Sequence, residues 1–207
     1  MEANPKAATR STFRLPSELM TGTRAAETAA RKERILAAAT ALAAEGGYDA
    51  VQMRDVAADA EVALGTLYRH YSSKDQLLLS AMAEQAATLR DRLVARPAQG
   101  ATPAARVADV LRRASRALER QPEVTRAMLT AMSVADSDTT GIKHEIDETL
   151  RAIVADAVDG TRVNNLDDIV WVLGSVWFAE LTSWSNGIPR ERPMAEGLER
   201  AAQLLLP

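Results

Sequence analysis

The side chains best placed to do chemistry lie in one run, QMRDVAADAEVALGTLYRHY, from Gln52 to Tyr71. Val56, Ala57, Ala60, Val62 and Leu67 recur at a spacing that packs two short helices together, and Ala57 is small where the second helix must cross closely. That leaves Leu64, Gly65, Thr66, Tyr68, Arg69 and His70 on or near an outward face. Such a set suits double-stranded DNA. Arginine makes a bidentate contact to guanine, threonine and tyrosine meet phosphates or thymine methyls, and glycine lets the backbone approach closely. Gln52 and Arg54 at the first helix, Ala63 at the head of the second and Lys74 just beyond complete the candidate DNA-binding set.

No other cluster supports a reaction. His144, Glu145, Asp147 and Glu148 stand close in sequence, but one histidine with Glu148 on the same helical face is too few ligands for a metal. A solvated acidic face is expected there, with no metal and no cofactor. There is no glycine-rich phosphate loop and no GxSxG. Of the two histidines, His70 already belongs to the outward face of the second helix, and the 207 residues include no cysteine. Thiolate nucleophiles, thiolate zinc sites and disulfides are excluded, and the chain does not read as an enzyme.

The elements that must position the run are all helical. Aromatics make up only 4% while alanine, leucine, arginine and glutamate abound, and no period-two run of β-branched residues occurs. The fold class expected is all-α. Residues 1–23 mix Pro, Ser, Thr and Gly without apolar period and are expected to form a flexible arm. A first helix is expected from Arg24 to Glu45, stopped by Gly46-Gly47. Short helices follow at about Met53–Ala60 and Leu64–Tyr71, with a break at Glu61–Ala63. Ser73, three residues before Gln76, caps a long helix to about Ala95. Further helices are expected at about Pro103–Arg120, Pro122–Ala135, Gly141–Val158, Asn165–Asn186 and Glu191–Leu206.

Hydrophobic content of 47% is enough for a core, and 25 basic against 28 acidic residues give a net charge of −3. No global attraction to nucleic acid follows, so DNA contact needs a local patch. Arg24, Arg31, Lys32, Arg34, Arg54, Arg69 and Lys74 are the candidate phosphate footprint, with about half expected to be ordinary solvated charges. Arg10 and Arg14 on the arm have a minor-groove role open to them, beside the plainer reading of a loose tail. The longest apolar stretch, Ile169–Ala179, is far short of the roughly 18 to 20 residues that span a bilayer, so a cytoplasmic protein is expected.

Arg31 to Leu79, with RDVA at 54–57, Val62, GTLYRHY at 65–71 and Lys74, resembles the TetR family of bacterial repressors. The resemblance implies residues 24–80 as a DNA-binding domain, its helix-turn-helix at about 52–71, and residues 81–207 as a ligand-binding and dimerisation domain. Many members carry glycine at the turn and serine or threonine at the next cap, whereas Glu61 and Ala63 stand here. A finer likeness rests on Gly46–Arg54, Asp59–Ala63, Gly100–Pro103, Thr125–Met128 and Val134–Asp136. These peptides are similar to the actinobacterial repressors of cholesterol catabolism, the KstR group, which implies a coenzyme A thioester of a steroid intermediate as effector.

In the second half, Leu111, Met128, Met132, Trp171, Trp177, Phe178 and Trp184 are the large apolar side chains offered for a cavity. Arginines would meet a thioester's phosphates, with Arg120 and Arg126 proposed and Arg112, Arg113 and Arg116 near them. The helix at 165–186 is apolar nearly all round, and the last helix has an apolar stripe, which together suit a two-fold partner. The expected function is a homodimeric repressor on a palindromic operator, released by a small apolar or acyl-CoA effector. Two alternatives stay open: a TetR-type regulator of fatty-acid metabolism or drug efflux, and a helical acyl-thioester binding protein.

Overall fold

The computed structural model describes residues 17–158, 163–189 and 191–206, with side chains from Ala25 onward. Arg10, Arg14 and Gly160 lie outside the described residues, as does the side chain of Arg24. Every regular element among the described residues is helical: α1 Ser17–Ala50, α2 Met53–Asp59, α3 Leu64–His70, α4 Lys74–Ala95, α5 Pro103–Glu119, α6 Pro122–Ser133, α7 Thr140–Val158, α8 Leu166–Ser185 and α9 Met194–Leu205. A short 3-10 turn, Ser137–Thr139, leads into α7.

Most boundaries lie within two residues of the sequence expectation because the caps are local. Ser73 Oγ accepts from the Gln76 N–H at 3.1 Å and Thr102 Oγ1 from the Ala105 N–H at 3.1 Å. The exceptions are the two ends of the chain. Helical backbone begins at Ser17 rather than Arg24, so part of the expected arm is helix. The stretch has no apolar period, but Glu18, Leu19 and Met20 are good helix formers and extend the helix that follows. At the other end α9 starts at Met194, after Pro193, rather than at Glu191. The expected stop at Gly46-Gly47 is present: Gly46 leaves helical geometry and Gly47 takes φ +68. A side chain at Gly47 would be strained there.

The turn between α2 and α3 is left-handed at Glu61, with φ +54. Its backbone closes on itself, Val62 N–H donating to Ala57 O at 2.9 Å and Glu61 N–H to Ala58 O at 3.1 Å. Those two bonds are the usual glycine-type helix stop, made here at about 1 kcal/mol extra because glutamate has a Cβ. The Arg34 Nε–H donates to Ala60 O at 3.3 Å and steadies the same turn.

Two hydrophobic cores result. The first joins Ile35, Leu36, Val56, Leu67 and Leu77–Leu79 to Val124, Met128 and Ile146. The second joins Val107, Leu111, Ile153, Leu173, Trp177, Leu181 and Leu198. The first core therefore draws α6 and α7 onto α1 and α4, so the helix-turn-helix sits on a platform that includes residues from far beyond position 80.

Candidate nucleic-acid interface and effector cleft

Leu67 decides how α3 is presented. It is fully buried, anchoring the seven-residue helix, while its neighbours Tyr68, Arg69 and His70 are exposed. With 3.6 residues per turn, one inward anchor leaves the rest of so short a helix facing out. Ala63, Leu64 and Gly65 are exposed too, and Thr66 is half-buried. Tyr68 exposes 51% of its surface, which is unusual for a large aromatic without a partner. A Cβ added at Gly65 would meet nothing within 4 Å, so nothing inside the protein demands glycine there. Ala63 heads α3 without a side-chain cap, as its residue type requires.

Val51, Gln52, Met53, Arg54, Leu64, Tyr68 and Lys74 line a shallow concavity of ≈ 290 Å³ beside α3. The Gln52 amide donates to Asp49 O at 2.8 Å, and Arg54 lies 3.6 Å from Asp55. Lys74 is held by Tyr48, its ammonium 3.8 Å from the ring centroid. Sequence reasoning assigned Tyr48 no role. Two of the basic residues named for the candidate phosphate footprint have partners inside the protein. Arg34 is spent on the Ala60 carbonyl, and Lys32 pairs with Glu84 at 3.1 Å, Glu84 raising the Lys32 pKa.

A second concavity, of ≈ 1870 Å³ and open to solvent, lies between α1, α4, α5, α6, α7 and α8. Leu36 and Thr40 of α1, Met82, Leu89 and Leu93 of α4, Leu118 of α5, Leu150 of α7 and Trp177 of α8 contribute to its wall. The Trp177 indole N–H donates to the buried Ser115 Oγ at 3.0 Å. Arg92, Arg96, Arg116 and Arg120 also line it, and none makes a side-chain hydrogen bond or ion pair among the described residues. Arg92 and Arg96 were missed by the sequence reading; Arg92 lies in the last turn of α4 and Arg96 is the residue that caps its end.

Of the predicted pocket residues, Trp177 and the arginines Arg113, Arg116 and Arg120 line this cleft. Leu111 packs into the second core, and Met128 and Met132 pack on the first. Trp184 is half-buried against the second core, away from the cleft. Trp171 is 73% exposed and Phe178 lies on the outside of α8, so the helix expected to be buried on both faces is buried on one in the single chain. Arg126 points elsewhere: its Nε–H and a terminal N–H donate to Ser185 O at 3.0 and 2.8 Å, and it pairs with Glu123 at 2.7 Å. It caps the end of α8, where a cation is favoured. Arg112 and Arg113 hold Asp109, and Arg113 also donates to the Arg96 and Pro97 carbonyls. Burial alone would raise the Asp109 pKa, but the Gln99 N–H with Arg113 and Arg112 holds it below the ordinary carboxylate value. This clamp fixes the α4–α5 loop at one end of the cleft.

Residues 35–81 match the family model described as bacterial regulatory proteins, tetR family, and residues 100–205 match the tetracyclin repressor-like C-terminal domain. The chain belongs to the TetR family. It is thereby a DNA-binding regulator and not an enzyme. It is 36% identical to the transcriptional repressor KstR of Rhodococcus jostii over 85% of this chain and 82% of that one. To KstR of Mycolicibacterium smegmatis it is 34% identical, over 85% and 87%. A TetR transcriptional regulator from Rhodococcus sp. RHA1 superposes with TM-score 0.79 at 33% identity, over 87% of this chain and 97% of that one. The repressor FadR of Thermus thermophilus, solved in complex with lauroyl-CoA, shares the fold at TM-score 0.63 and 24% identity, over 84% and 92%. Among the described residues no helix is long and apolar enough to cross a membrane, and no group of metal-ligating side chains is assembled.

Proposed function

We propose that this TetR regulator is a homodimeric repressor acting in the cytoplasm, its α3 helices entering successive major grooves of a palindromic operator. The observation that carries this is the outward face of α3, where Tyr68, Arg69 and His70 stand free around the buried anchor Leu67. Gln52, Arg54 and Lys74 border the same concavity for phosphate contacts, with Ala63 to Thr66 closest to the base edges. The exposed apolar side chains Trp171, Phe178, Ile188 and Leu204 support a two-fold partner on α8 and α9, since a monomer would leave them in water.

The effector proposed is an amphipathic thioester of coenzyme A in the ≈ 1870 Å³ cleft, an apolar tail beside Trp177 and Leu118 and phosphates near Arg92, Arg96, Arg116 and Arg120. Similarity to the KstR repressors favours a steroid-derived acyl group and control of steroid or lipid catabolism genes. A straight-chain acyl group, as in the lauroyl-CoA complex of the Thermus protein, is the second reading. Because α1 and α4 form part of the cleft wall, a ligand there would bias the tilt of α4 and the register of the two heads. Such coupling is worth about 1–3 kcal/mol, and operator DNA must weaken ligand binding equally.

The test is fluorescence anisotropy on a labelled duplex enriched from a random pool by the protein, titrated with a steroid-CoA thioester and with lauroyl-CoA in parallel. Release by the steroid thioester alone is the expected result. Release by lauroyl-CoA alone moves the assignment to fatty-acid control, and failure to enrich any duplex removes the repressor reading.

A further inference from the structure

The Gly46-Gly47 break redirects the chain so that Tyr48 meets the first turn of α4, where two neighbours of opposite charge wait. The Lys74 ammonium stands 3.8 Å from the Tyr48 ring centroid and donates to the Tyr48 carbonyl at 3.3 Å. The Tyr48 hydroxyl donates to Asp75 Oδ1 at 2.6 Å. Lys74 borders the concavity beside α3 together with Gln52, Arg54, Leu64 and Tyr68, and Asp75 does not. Lysine at the first position of a helix faces the positive end of the helix dipole, so α4 itself gives the ammonium no anchor. Left alone, a long side chain of this kind samples many rotamers, and the adjacent carboxylate competes for it.

We infer that Tyr48 is a positioning residue for DNA binding, fixing the Lys74 ammonium beside α3 with its ring and carbonyl while its hydroxyl ties Asp75 away from that charge. The inference rests on the reading of α3 and the start of α4 as the DNA face. Burial, reinforced by Asp75, pushes the Tyr48 phenol up to about 12, so the hydroxyl remains a donor through the neutral range. The contact between ring and ammonium is of the kind that survives in water because the ring face is negative and lightly hydrated.

The experiment uses the full chain and a duplex enriched by the wild type, with affinity measured across a salt series. If the wild type enriches no duplex, the DNA reading fails, and the inference falls with it. Given binding, Tyr48→Leu and Lys74→Ala are each expected to weaken it about tenfold and to flatten log K against log salt equally, by about 0.9 for each phosphate no longer neutralised. The double variant is expected to bind no more weakly than Lys74→Ala, since both changes act on the same lysine–phosphate pairing. Tyr48→Phe keeps the ring and frees Asp75: a loss of about threefold is expected, restored when Asp75→Asn is added. A wild-type salt slope in Tyr48→Leu, additive losses in the double variant, or a silent Tyr48→Phe each overturns the inference. Should Tyr48→Leu fail to fold, the Tyr48→Phe pair decides alone.

Discussion

The helix-turn-helix head and the C-terminal half are built from the same alanine-rich and leucine-rich helices, yet they present their candidate functional residues in opposite ways. In the head, function is proposed for what a short helix leaves outside: Leu67 is buried, and Tyr68, Arg69 and His70 beside it are exposed. In the second half, function is proposed for a space that no single helix defines, walled by six of the nine helices among the described residues. An outward recognition face is a property of one helix and its phase. A cleft is a property of how several helices fail to meet.

The comparison breaks most directly at its anchor. Leu67→Ala removes a fully buried side chain at the crossing of α2 and α3 and is expected to cost about 2–5 kcal/mol. Urea unfolding should show the lowered midpoint, and operator binding should fall with it. Tyr68→Ala is the complementary change, expected to lose about 1–3 kcal/mol of operator affinity per protomer while the midpoint and helicity stay at wild-type values. Unimpaired binding by Tyr68→Ala in anisotropy would mean that the outward face of α3 is not the reading surface.

In the second half, Asp109→Asn should cost about 1–3 kcal/mol, because a buried carboxylate satisfying two arginines and the Gln99 N–H is replaced by a weaker partner. The sign with pH follows from the lowered Asp109 pKa. Its contribution is complete above the ordinary carboxylate value near about 3.9 and is lost as pH falls through the depressed folded value. Denaturation midpoints between neutral and strongly acid pH should show that loss in the wild type and its absence in Asp109→Asn, with operator affinity at neutral pH unaltered. The smallest effect is expected at Gly65. Gly65→Ala should stabilise the fold by about 0.5–1 kcal/mol, read as a raised midpoint, since alanine is the better helix former and its Cβ meets open space. Operator affinity should nevertheless drop, and a gain in both would show that DNA does not approach the backbone there.

Much of the head was legible from the residues. The cap at Ser73, the stop at Gly46-Gly47 and the outward set Leu64, Gly65, Thr66, Tyr68, Arg69 and His70 all depend on contacts within a few positions of chain. Glu61 shows where residue type was a poor guide, because the turn keeps its left-handed shape by backbone bonds from Val62 and Glu61 although glutamate disfavours it. Tyr48 was passed over because its partners Lys74 and Asp75 are a helix-turn-helix away in sequence. The pocket residues were the least legible. Leu111 and Met128 were chosen for size and apolarity, which are also the qualities of core residues, and the core claimed them. Trp171 went the other way, to the surface.

The sequence by itself determined the all-helical class, nearly every helix boundary and the residues of α3 that face outward, because periodicity, caps and propensity act over one or two turns. The tertiary structure alone decided which arginines stay unpaired, which charges are consumed by Ala60 and Ser185 carbonyls, and where the cleft lies. Those outcomes depend on distances between segments 26 to 59 positions apart in the chain, for which no local pattern carries information.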